Sequence, residues 1–119
     1  MKIFSIPLNP KLNENQSNDF INFCNDYKDY IYDIYFTCRI APFLQDAMGD
    51  IFIQTDDNLS AIENALFISE KTGIKLSATF NNIEVRPTQK NLDIWIKNFR
   101  PLYERGIHSI TIPHTHWVL

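Results

Sequence analysis

Two glycine-isoleucine pairs limit more than any other feature what this chain can fold into. Gly73-Ile74 and Gly106-Ile107 stand 33 positions apart, each behind an amphipathic helical pattern and ahead of a short β-rich run. That distance is about one strand–loop–helix unit. A glycine just past a helix supplies the left-handed residue that closes it, and the apolar run behind it opens a strand. Helix, glycine, strand, repeated, predicts parallel strands joined by right-handed helical crossovers.

The rest of the chain continues the alternation. "KIFSIPL" reads as a first strand, stopped by Asn9-Pro10. A polar loop leads into "DFINFCNDYKDY", where Phe20, Phe23, Cys24 and Tyr27 keep helical spacing and Ser17 or Asn18 can cap. "YIYDIYFTC" is a second strand. Its inward set is either Ile31, Asp33 and Tyr35 or Tyr32, Ile34 and Phe36, and the second, more apolar set is preferred for the deeper face. The connection 39–57 is long for a strand-to-helix loop and has room for a short strand at Ile51–Ile53. Ser60 and Glu63 match a capping box for the helix "NLSAIENALFISEKTG", with Leu59, Ile62 and Leu66 on one face. "IKLSATF" is the third strand. Thr88 can cap a third helix, in which Leu92, Trp95, Ile96, Phe99, Leu102 and Tyr103 stay in phase across Pro101, predicting one kinked helix. "IHSITIP" is the fourth strand, so the order is β-α-β-α-β-α-β in a single α/β domain over 1–119.

Four parallel strands and three helices admit two architectures. One is half of a (β/α)8 barrel, with strands in order 1-2-3-4 and every helix on one side. The other is a small doubly wound, flavodoxin-like open sheet with helices on both faces. A half barrel leaves two strand edges open, and open edges recruit other chains. The expectation is therefore self-association through the sheet edges, or a C-terminal half that completes the barrel.

Phe80-Asn81 at a strand end, Pro101-Leu102 within the next helix and Gly106-Ile107 before an apolar strand carry a resemblance. On these residues the stretch from about residue 60 to 119, and more loosely the first strand and helix, resembles the N-terminal half of the collagenase-like peptidase family of (β/α)8 barrels. The resemblance implies barrel topology and, as family activities, hydrolysis of peptides or a link to hydroxylation of RNA or cofactors. The cysteine-rich, iron–sulfur part of that family has no counterpart in these residues.

Composition narrows the partners. With a net charge of -3, and with Asp93 and Glu104 interleaved among Lys97, Arg100 and Arg105, no basic face for nucleic acid is expected. No stretch reaches the roughly 18 apolar residues of a membrane span. Two cysteines, Cys24 and Cys38, make no disulfide framework, and a cytoplasmic setting is expected. There is no Gly-rich phosphate loop, CxxC or GxSxG motif, so nucleotide binding and a serine-hydrolase triad are disfavoured.

In parallel α/β sheets ligands bind at the carboxyl ends of the strands. That rule gathers Thr37, Cys38, Arg39, Asn81, Asn82, Arg86, His114 and His116 into one candidate mouth for a small-molecule or peptide ligand. His114 and His116, two apart in extended backbone, project to one side and can offer two imidazoles to a divalent metal, with Cys38, Asp46, Asp50 or Glu84 as a third ligand. Cys38 beside Arg39 is either a reactive thiolate or a small buried residue at a strand end. Arg39 and Arg86 suit a carboxylate or phosphate, whereas His108 starts its strand at the opposite end and is left out. Two functions stay open: a barrel enzyme, or a non-catalytic binding module that uses loop 39–57.

Overall fold

Every strand of this protein alternates, and the alternation decides which side the helices take. The computed structural model describes residues 2–9, 11–43, 56–80 and 85–112. Along them run strand β1 (Phe4–Pro7), helix α1 (Glu14–Asp26), a 3-10 turn (Lys28–Tyr30), strand β2 (Ile31–Thr37), helix α2 (Asp56–Thr72), strand β3 (Lys75–Thr79), helix α3 (Gln89–Glu104) and strand β4 (Ser109–Thr111). The strands form one all-parallel sheet in the order β1-β2-β3-β4. The order 2-1-3-4 would place β1 between β2 and β3; here β1 stands at the edge, beside β2.

One register set is apolar. Ile6 pairs with Ile34 and Ile34 with Leu76, while Phe36 pairs with Ala78 and Ala78 with Ile110. These side chains share a single core cluster with Cys24 of α1, Ile62, Ala65, Leu66 and Ile68 of α2, and Trp95, Phe99 and Leu102 of α3. All three helices thus pack on the same side of the sheet. Phe80, just past β3, is the hub: its ring lies 5.1 Å from Phe43, 5.7 Å edge-on to Trp95 and 5.9 Å edge-on to Phe99. Trp95 in turn stacks on Phe99 at 5.2 Å.

The two glycines close their helices by different bonds. Gly73, at φ +69°, donates its N–H to Ser69 O at 2.8 Å, a single bond back to the last turn. Behind it, Thr72 Oγ1 donates to Ile68 O at 2.9 Å and accepts from the Ile74 N–H at 3.2 Å. Gly106, at φ +115°, donates to Tyr103 O and Ile107 donates to Leu102 O, both at 3.1 Å, the paired pattern of a Schellman end. α3 runs through Pro101, which lies one turn from its end, where a missing N–H removes a single intrahelical bond.

Four expectations are corrected. α1 starts earlier than Ser17 or Asn18, because Asn13 and Gln16 form a reciprocal capping box at 2.8 and 3.0 Å; Ser17 is buried inside the helix. Ser60 does not cap α2, which is already helical at Asp56. In β2, Ile34 and Phe36 are buried as preferred, but Tyr32 is exposed while Ile31 and Asp33 of the other set are buried. Phe23 and Tyr27 of the α1 stripe are exposed as well, and only Cys24 of that stripe is fully buried. The strand expected at Ile51–Ile53 lies outside the described residues.

Candidate functional site

The second register set of the same strands is polar. Ser5 pairs with Asp33 and Asp33 with Lys75; Tyr35 pairs with Ser77 and Ser77 with Ser109; Thr37 pairs with Thr79 and Thr79 with Thr111. Strands buried on both faces are normally continuous apolar runs. Here a threonine row and a row with two serines climb the sheet toward its carboxyl ends. They border an opening of about 460 Å³ whose described lining is all strand residues, among them Asp33, Tyr35, Ser77, Thr79, Ser109 and Thr111.

Asp33 is the most constrained group on this wall. Its residue is 9 % exposed, and Oδ2 accepts a 2.7 Å hydrogen bond from Ser77 Oγ, itself 5 % exposed. Oδ1 is buried and has no hydrogen-bond partner among the described residues. An unmet buried acceptor costs on the order of 1–3 kcal/mol, so the Ser77 bond does no more than offset it. Lys75, the register neighbour of Asp33, directs its ammonium to Tyr32, 5.0 Å over the ring and 3.4 Å from the hydroxyl.

The residues predicted for the mouth separate into three groups. Thr37 stands on the polar wall, half-buried, at the top of the threonine row. Cys38 has the opposite parity: it is 1 % exposed, belongs to the apolar core, and burial pushes its thiol up to about 12 against the pull of Arg39. A thiol so placed is a packing group at neutral pH, not a nucleophile. Arg39 is half-buried just beyond β2. Arg86 is exposed, and its carbonyl accepts from the Asn91 side chain at 2.9 Å and from the Thr88 N–H at 2.8 Å, so its backbone helps to start α3. Asn81, Asn82, His114 and His116, with Asp46, Asp50 and Glu84, lie outside the described residues. Among the described residues no three His, Cys, Asp or Glu side chains gather around a metal-sized point.

Other features resolve into structure. His108 packs its ring 4.5 Å from Tyr103, and its Nε2 lies 2.9 Å from the Tyr103 carbonyl. Arg105, part of the basic group on α3, forms a two-pronged ion pair with Glu63 of α2, one prong at 2.7 Å. That pair holds the Glu63 carboxyl below its usual range and raises the Arg105 guanidinium. No described helix is long and apolar enough to cross a membrane.

Asp33, Ser77, Thr79, Ser109 and Thr111 are absent from the sequence-derived mouth. A signal for them exists: Ser5, Asp33, Ser77 and Ser109 place a small or charged polar residue at the same phase in each of the four strands. The chain matches no protein-family model, no curated protein and no solved structure.

Proposed function

We propose that this chain supplies four βα units of a (β/α)8-type barrel, of the kind found in the collagenase-like peptidases it resembles, and that a small ligand is held where the polar strand face meets the carboxyl ends of the strands. The observation that carries the reading is the two-sidedness of the sheet. Three helices share one apolar face, while around the opening of the polar face the described residues are all strand residues. In a closed barrel such a face is the inner wall. Thr37 then stands toward the rim, with Arg39 just beyond the end of its strand, and the unmet acceptor of Asp33 lies below on the wall. Two free, buried thiols fit a reducing, cytoplasmic setting.

Closing the wall requires strands beyond the outer sides of β1 and β4, from a second copy or from further βα units. Light scattering on the 119-residue chain tests this. Association to about twice the 14.0 kDa chain mass, or the lack of a cooperative melt, supports the reading. A monodisperse 14.0 kDa particle that melts in one cooperative step overturns it in favour of a free-standing open sheet.

A further inference from the structure

We infer that the opening over Asp33 is a binding site for a small hydroxylated primary amine, with the ammonium on Asp33 Oδ1 and the ligand's hydroxyls on the serine and threonine rows. The inference deepens the reading above and rests on the polar face being a ligand-facing wall.

Three observations assign the ligand chemistry. Asp33 is nine-tenths buried, is held in place by Ser77, and presents a buried oxygen with no hydrogen-bond partner among the described residues. A carboxylate oxygen accepts hydrogen bonds, so a ligand that meets it brings an N–H or O–H, and a charged donor makes the stronger bond. Apart from Ile110, the rest of the described lining is hydroxyl and ring: Ser77, Thr79, Ser109 and Thr111 both donate and accept, and Tyr35 adds a flat side. Among the described residues that line the opening there is no Lys, Arg or His, and the nearby Lys75 is held at Tyr32, so an anion would meet a carboxylate first. Among the described residues a bare metal ion would find one carboxylate and neutral hydroxyls, short of the donors a divalent site needs. An opening of about 460 Å³ accommodates a ligand of sugar size.

The experiment uses the 119-residue chain, with backbone amide shifts followed by NMR at neutral pH. Three probes are titrated separately: glucosamine, which has both amine and hydroxyls; glucose, which lacks the amine; and n-butylamine, which lacks the hydroxyls. Glucosamine is expected to shift the Ser77, Thr79 and Ser109 amides at a concentration at least about tenfold below either of the others, and Asp33→Asn to bring it down to the glucose level. Asp33→Asn keeps an acceptor for Ser77, so the fold survives. Ser109→Ala, on the far strand β4, serves as a second variant and is expected to weaken glucosamine about threefold without changing n-butylamine. Equal potency of the three probes, silence from all three, unchanged selectivity in Asp33→Asn, or saturable binding of calcium alone would overturn the inference. Light scattering on the same samples separates the two failures. A chain that associates yet ignores the probes sinks only the ligand assignment, whereas a cooperative 14.0 kDa monomer sinks the barrel reading whatever the probes do.

Discussion

The two faces of the sheet are built from the same four strands, yet they follow opposite rules. On the helix side Ile34, Phe36, Leu76 and Ala78 are at most 2 % exposed and interlock with three helices. On the other side the same strands present hydroxyls, a phenol and a half-satisfied carboxylate. Apolar contacts on the first face gain free energy from burial. The second face gains little from folding, because hydroxyls exchange water for weak mutual bonds. One face therefore explains why the chain folds, and the other is free to answer to something else. That asymmetry is the pattern expected when stability and ligand binding are assigned to separate surfaces.

The sharpest way to break the contrast is to cut into the aromatic hub. Phe80→Ala removes a ring that touches Phe43, Trp95 and Phe99 and is expected to cost about 3–5 kcal/mol, read from the denaturant midpoint. A loss below about 1 kcal/mol would mean that the helix face is not the stabilising one.

Alkali probes the same face. Burial raises Cys38 to about 12 and Cys24 to about 11 from an ordinary 9.0, so the unfolded chain gives up these protons first. The stability that goes with neutral thiols is complete below pH 9 and drains away as pH rises toward the folded values. At pH 10 each thiol is expected to have removed on the order of 1 kcal/mol, a loss that Cys24→Ala and Cys38→Ala should each reduce. At pH 7 neither thiol should react with a disulfide reagent before the chain unfolds. Rapid labelling of Cys38 in the native protein would instead restore it as a nucleophile.

On the polar face the prediction changes sign. Replacing Asp33 by Leu together with Ser77 by Ala removes both partners of one buried bond and the unmet oxygen beside it. Thermal unfolding should show no loss and a gain of about 1 kcal/mol, while the glucosamine response disappears. If this double variant destabilises as Phe80→Ala does, the polar wall is part of the folding core and the contrast collapses. The smallest effect belongs to neither face. Glu63→Gln breaks an exposed ion pair between α2 and the end of α3 and should cost no more than about 0.5 kcal/mol, vanishing at 1 M salt.

The order of elements and the all-parallel sheet were legible because glycine stops and apolar phases repeat along the chain. Cap positions were less so. Ser60-x-x-Glu63 has the right letters, but the helix it would start is already under way at Asp56, and Glu63 serves Arg105 instead. β2 shows where pattern reading runs out. Both of its alternating sets contain isoleucine and tyrosine, so apolarity favoured Ile34 and Phe36 correctly but set Asp33 aside as the lesser face. Nothing in one strand shows that Asp33 stands in register with Ser5 and bonds to Ser77; that takes the sheet. For Cys38 the information was present, since its phase continues that of Ile34 and Phe36 past the end of the strand and into the core.

Phe80 has one more consequence. It follows Thr79 directly on the opposite face, so the strand backbone and one ring lie between the polar wall and the indole of Trp95, which that ring meets edge-on at 5.7 Å. The chain has one other tryptophan, Trp117. With Trp117→Phe the protein becomes a single emitter, and a molecule settling against Thr79 should alter the colour or intensity of light from Trp95 without any added dye.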